Sequence, residues 1–336
     1  MASSDRTILF SLFMFTVDMR PDDPAYTPVL IGHLKALTEM GYHGFDLPIP
    51  PRDTLDHAPE IESYRRLKQT FDKAGLQDAV FTTNVGATQR FDPTSPDAAE
   101  RQQALDYLKS RVDITAILGG RKDSVMAGPI VLPYGGYPSL DPDTPLWSDA
   151  LQDWLVDRYE TARPVISELA DYAGSKGVKL AIEPVDHWET AAPNMVSEVL
   201  DFLKGIDSSD VGLAVDVAHV MLGSSGPEAY AKDIAATIAQ KRLHYVHISS
   251  LDRGSFNDVW IAWDQFLNPI LPHFNGPYLV EVFNAIPVFH GPLRQTRRKF
   301  WIPGEDEPVA GRPSAYDVAR DGLAVVKKQF ERLAAA

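Results

Sequence analysis

The chain has 336 residues, of which 44% are hydrophobic and 23% charged, with a formal net charge of -14 and no cysteine. Length alone admits one large domain or two ordinary ones, and the composition is that of a globular protein able to bury most of its surface. The acidic balance opposes nucleic-acid and anionic-membrane binding, and the absence of thiols excludes disulfides and cysteine chemistry. With no signal-like start and no apolar run of bilayer length, a cytoplasmic, non-membrane protein is expected.

Taken in order, Thr7 to Met14 reads as an apolar strand and Pro28 to Met40 as a helix ending before Gly41. Gly44 to Leu47 is a second strand, carrying Asp46 and stopped by Pro48, Pro50 and Pro51; a helix follows from about Ala58 to Ala74. Asp78 to Thr83 is strand three, and Asp97 opens a long helix through Ile117. Strand four is Ser124 to Leu132. The proline- and tyrosine-rich stretch from Pro133 reads as an irregular loop, long for its place and therefore a binding or contact loop. Trp147 to Gly174 is helix four.

The second half repeats one pattern. Strand five, KLAIEPVDHWE, ends in Glu183; VGLAVDVAH ends in Asp216; LHYVHISS carries His247; YLVEVF carries Glu281. Between them lie helices from near Asn194, over Pro227 to Gln240 and over Ile261 to His273. Pro287 to Pro313 is rich in proline and arginine, and Ala315 to Ala334 closes the chain as an amphipathic helix. Strict alternation of eight strands and eight helices predicts one (β/α)8 TIM barrel over 1–336, with an expanded loop at about 133–147 and the Pro/Arg-rich segment at about 287–313. No glycine-rich phosphate loop follows strand one, which disfavours a doubly wound open sheet.

An apolar strand cannot hold an unpaired charge inside it, so groups at strand ends are where such a barrel places its chemistry. Glu183, Asp216, His247 and Glu281 are candidate ligands of one divalent cation. Three carboxylates and an imidazole suit Mn2+, Co2+ or Mg2+ better than a structural zinc. Glu189, His219 and Arg253, a few residues beyond three of these ligands, are candidate substrate contacts. A cation flanked by carboxylates suits proton abstraction beside a carbonyl, with Glu183 and Glu281 serving the two faces of an enediolate.

The motifs EPVDHWE, DVAH, HISSLDR and VEVF, in this order, resemble the sugar phosphate isomerase/epimerase superfamily with its xylose isomerase-like TIM barrel, and most of all ketose 3-epimerases of the D-tagatose 3-epimerase type. The resemblance implies Glu183, Asp216, His247 and Glu281 as ligands of Mn2+ or Co2+, Glu183 and Glu281 as the acid/base pair, and sugar contacts from Glu189, His219 and Arg253. Three departures stand out: Asp186-His187 in place of the usual Asn-Arg, Asp46 in place of a glutamate ending strand two, and the expanded loop after strand four.

His187 offers an extra proton donor or acceptor near neutrality, which favours a catalytic part for it in a related elimination where a leaving group must be protonated. The sequence is thus also similar to the catalytic subunit of C-glycoside deglycosidases, which cleaves 3-oxo-C-glycosides together with a small β-rich partner, and to inosose dehydratases. The expected partner is a small keto sugar or 3-oxo-glycoside, in an oligomer that on the second reading includes a small second subunit. An abasic-site endonuclease is disfavoured, because SSLDRGSFNDVW lacks the Asp-x-His of its zinc cluster and the net charge repels DNA. Trp188, Trp260 and Trp263 are read as packing residues, Trp301 as a possible exception, and Arg294 to Lys299 as a solvated face.

Overall fold

The computed structural model describes residues 6–120, 124–136, 143, 149–223, 225–257, 259–283 and 300–335. Its eight parallel strands are β1 (Ile8–Ser11), β2 (Gly44–Pro48), β3 (Val80–Asn84), β4 (Ser124–Gly128), β5 (Val178–Ile182), β6 (Val211–Asp216), β7 (Leu243–Ser249) and β8 (Tyr278–Glu281). They pair in sequence order and close, β8 on β1, into a (β/α)8 TIM barrel. Among the described residues the helices are α1 (Tyr26–Met40), α2 (Ala58–Lys73), α3 (Ala98–Gly119), α4 (Ala150–Ser175), α5 (Val196–Phe202), α6 (Val217–Gly223), α7 (Pro227–Ala239), α8 (Trp263–Leu267) and α9 (Ala315–Ala334). None of them is long and apolar enough to cross a membrane.

Alternation along the strands splits the apolar residues into two cores. Outward side chains such as Phe10, Phe45, Phe81, Ile182, Val246 and Val280 join the helices in the larger one, where Phe71 of α2 stacks on Phe81 at 5.3 Å. Inward side chains form a second cluster filling the barrel: Leu9, Val125, Ala127, Ala181, Ala214, Tyr245 and Leu279. The helix α9 turns Val318, Leu323, Val326 and Phe330 inward against the sheet, and its start is fixed by a Ser314/Asp317 capping box.

Several expected bounds shift for local reasons. The strand expected over Thr7 to Met14 ends at Ser11, whose hydroxyl accepts from the Phe13 N–H and starts a 3-10 turn over Leu12–Met14. Strand four stops at Gly128, where φ is +130°, so Pro129 to Leu132 leave the sheet although three of these residues are in the core. The helix expected over Ile261 to His273 is confined to Trp263–Leu267, and α6, directly after β6, is an unexpected helix. The expected loop at 133–147 is described only at 133–136 and 143; of the Pro/Arg-rich segment, 287–299, with the Arg294 to Lys299 run, lie outside the described residues.

Away from the barrel rim, His33 is buried and His244 half-buried. His33 of α1 stacks on Phe15 at 4.2 Å with Nδ1 2.9 Å from the Tyr316 hydroxyl, and burial pushes its pKa down to about 4. His244 of β7 has Nδ1 2.9 Å from the Leu180 carbonyl, and burial likewise lowers it to about 4. A histidine kept neutral in the fold binds fewer protons than in the unfolded chain, so stability is lost as pH falls from its ordinary value of 6.5 towards 4. Between pH 7 and pH 5, His33 alone should withdraw about 2 kcal/mol, and His33→Gln should flatten the urea-unfolding stability difference by that amount.

Candidate active site

Four strands share one sequence rule. Two residues beyond the interior-filling Ala181, Ala214, Tyr245 and Leu279 come Glu183, Asp216, His247 and Glu281, which therefore point to the same interior, one layer nearer the C-terminal rim. The register agrees, with Asp216 opposite His247 and Ser249 opposite Glu281. Glu183 lies just past β5, where its N–H donates to the Gly128 carbonyl at 3.1 Å. Gly128 is required there, because a Cβ would meet the Val85 carbonyl oxygen at 2.2 Å.

The donor atoms of these four residues lie within 4.8 Å of one another, and all four are buried. His247 Nδ1 is 2.9 Å from Glu183 Oε1. Burial works to raise the Glu183 carboxyl, and the charge and hydrogen bond of His247 hold it below the ordinary value. Burial likewise opposes protonation of His247, and Glu183, Glu281 and Asp216 overcome it, raising the imidazole to about 10. Glu281 is pushed well above the glutamate range by burial first and then by Asp216 and Glu183. Asp216 is held down against burial by Arg253, His219 and His247, and accepts from the Ser249 hydroxyl at 2.7 and 2.9 Å and from the Ala218 N–H at 2.6 Å.

Beside this group, Arg253 is buried in a positive-φ conformation (60°), anchored by its own N–H on Ser250 O and by its carbonyl on the Phe283 N–H, both at 2.9 Å. Its guanidinium reaches Asp216 at 3.3 Å, Ser249 at 2.9 Å, Glu189 at 3.1 Å and His219 Nε2 at 2.7 Å. Arginine has only donors, so Nε2 of His219 accepts and the ring proton sits on Nδ1, 3.0 Å from Asp186 Oδ2. The Asp186 N–H, 3.1 Å from the same nitrogen, is then the weaker claimant. Against burial, the bond from His219 keeps Asp186 below the ordinary aspartate value.

Glu183, Glu189, His219, Arg253 and Glu281 line one cavity of about 420 Å3, and Asp216 and His247 lie under it. Part of the remaining wall is apolar: Phe13, Val17, Pro48, Pro51, Pro129 and Phe283, with Phe13 stacked on Phe283 at 5.0 Å. The fully buried Arg111 of α3 holds that wall through Pro50 O at 3.1 Å while paired with Glu60. Three participants were not read from the sequence: Tyr134, which donates to Glu189 Oε2; Ser249, which bonds Asp216; and Phe283 beneath Arg253. His187 is exposed, with its ring 4.9 Å from that of Trp188, and is not among the residues lining the cavity. Of the tryptophans read as packing residues, Trp263 packs on the core, whereas Trp188 and Trp260 are more than 70% exposed.

Five carboxylates, Glu183, Asp186, Glu189, Asp216 and Glu281, thus gather around one arginine and two histidines. Buried carboxylates at this density require a compensating positive charge, and an oxygen-rich set with one imidazole fits a divalent cation of the Mn2+, Co2+ or Mg2+ kind. Asp186, Glu189 and His219 also cluster, but there the Arg253 guanidinium already supplies the positive charge.

A family profile described as the xylose isomerase-like TIM barrel matches residues 34–301, and the chain belongs to that family. An L-ribulose 3-epimerase from Methylomonas sp. (strain DH-1) is 28% identical over 205 residues, 60% of this chain and 64% of that one, so the chain spans slightly less than two thirds of that relative. A solved structure from Anabaena variabilis, provisionally described as a sugar phosphate isomerase/epimerase, is 46% identical with a TM-score of 0.92, covering 98% of this chain and 99% of that one. The fold alone is shared with D-allulose 3-epimerase from Methylomonas sp. in complex with D-allulose: TM-score 0.72, 20% identity, coverage of 98% and 99%.

Removing Arg253 tests the charge balance. Arg253→Met leaves Asp216 and Glu189 without their guanidinium and should cost about 3–5 kcal/mol in urea unfolding of the metal-free protein. A loss below about 1 kcal/mol would mean that Arg253 behaves as an exposed rim pair.

Proposed function

We propose that this protein is a divalent-cation-dependent sugar epimerase of the ketose 3-epimerase type. The observation that carries the reading is the convergence of Glu183, Asp216, His247 and Glu281 at the floor of a cavity also lined by Glu189, His219 and Arg253. The similarity to an L-ribulose 3-epimerase supports the substrate class, a small ketose.

In this reading Glu183, Asp216, His247 and Glu281 hold the cation, Mn2+ or its Co2+ and Mg2+ equivalents. When bound it supplies Lewis-acid polarisation of the substrate carbonyl. One of the glutamates Glu183 and Glu281 takes the C3 proton, the electron pair passes into the enediolate, and the other returns a proton to the opposite face of C3. Arg253, His219 and Glu189 face the carbonyl end of the sugar, and Tyr134 holds Glu189 in place. His187, exposed and off the cavity wall, is given no role.

One observation favours a second reading. The apolar wall of Phe13, Val17, Pro129 and Phe283 offers a seat for a non-sugar group, as a lyase acting on 3-oxo-C-glycosides with a small partner subunit would need. Such an enzyme releases an aromatic aglycone; an epimerase does not.

With Mn2+ present, a ketose incubated in deuterated water should gain deuterium at C3 and appear as its epimer, and Glu183→Gln and Glu281→Gln should each slow epimerisation about 10²–10⁴-fold. Chelation should abolish the activity and Mn2+ restore it. Release of aglycone from a 3-oxo-glycoside, with no C3 exchange on any pentulose or hexulose, would replace this reading with the lyase. In unfolding measurements, Mn2+ at a hundred times its Kd should stabilise the metal-free protein by about 2.7 kcal/mol.

A further inference from the structure

Asp46 lies in the middle of β2, inside the barrel, and is fully buried. Its Oδ2 accepts from the Thr82 hydroxyl at 2.6 Å, and that hydroxyl is in turn 2.8 Å from the Tyr245 hydroxyl. No donor among the described residues bonds its Oδ1. Across the interior, the Tyr245 ring meets the ring of His247 edge-on, with centroids 4.6 Å apart at 86°. Nδ1 of His247 faces Glu183 Oε1, whereas Nε2, on the other side of the ring, is buried and has no partner among the described residues.

An acceptor without a donor and a ring nitrogen without an acceptor thus sit in one polar layer. An imidazole that gives one nitrogen's lone pair to a cation carries its single proton on the other nitrogen. With Nδ1 turned to the carboxylate cluster, that proton is on Nε2, buried, and left unsatisfied it costs about 1–3 kcal/mol. A carboxylate behind a ligating histidine fixes both its tautomer and its ring orientation. Asp46 is not one of the four clustered donors, so it does not serve as a fifth ligand.

Resting on the reading of His247 as a cation ligand, we propose that Asp46 is its positioning residue: Asp46 Oδ1 accepts from His247 Nε2–H through one bridging water, and so aims the Nδ1 lone pair at the cation. Thr82, bonded to the other carboxylate oxygen and held in turn by the Tyr245 hydroxyl, keeps Asp46 in place.

The test is Mn2+ binding to the full-length metal-free protein by calorimetry, together with the His247 tautomer by nitrogen-15 NMR of the Mg2+-loaded wild type, assigned by the signal lost in His247→Gln. Asp46→Ala should weaken Mn2+ binding about ten- to a hundredfold, and Asp46→Asn, whose amide oxygen still accepts, by no more than about fivefold. The loaded wild type should show the Nε2–H tautomer, which decides the matter by itself if Asp46→Ala does not fold. Mn2+ affinity within about twofold of wild type in Asp46→Ala, or an Nδ1–H tautomer, overturns the role of Asp46 while leaving the cation centre standing. A wild type that binds no Mn2+ overturns both.

Discussion

The barrel has to close over a cluster of buried negative charge. Glu183, Asp216 and Glu281 stand at the ends of β5, β6 and β8 with their oxygens within a few ångströms of His247, at a depth where solvent does little to screen them. Everything around them compensates. The amides of Ala218 and His219 and the hydroxyl of Ser249 bond Asp216, His247 pairs with Glu183, and Arg253 is held at a positive φ to place its charge between Asp216 and Glu189. An oxygen-rich pocket able to accept a divalent cation is a use these groups fit.

The same constraint explains the two faces of the cavity. On its charged side Glu183 and Glu281 stand at strand ends, rigid because each strand is paired on both sides, while Glu189, His219 and Arg253 follow in the segments just beyond β5, β6 and β7. Its apolar side comes from loops after β1, β2, β4 and β8, stiffened by prolines and by the buried Arg111–Glu60 pair. A sugar placed between them would meet ligating oxygens on one face and hydrocarbon on the other. Water is then displaced from the reacting end, where proton transfer by a carboxylate gains from a low dielectric.

The strands were legible in the sequence because a doubly covered parallel strand is a short apolar run with a sharp end, and the four clustered side chains Glu183, Asp216, His247 and Glu281 were legible because they stand at those ends. His219 and Arg253 were legible only as polar residues near a ligand; their mutual bond and the assignment of the ring proton needed coordinates. Tyr134 was hidden in a loop whose length could be read but whose path could not. His187, four residues beyond Glu183, could be weighed in the sequence only as an imidazole near the site; the turn that buries Asp186 under His219 leaves the next side chain at the surface. Helix ends after β6 and β7 were missed for a related reason, since short rim helices are set by tertiary contacts rather than by periodicity.

Anomalous diffraction from crystals of the metal-free protein soaked in Mn2+ addresses the cation centre most directly. One strong peak is expected, within bonding distance of Glu183, Asp216, Glu281 and His247 Nδ1. A peak bonded elsewhere, or none at saturating Mn2+, would contradict a cation centre at the rim of this barrel.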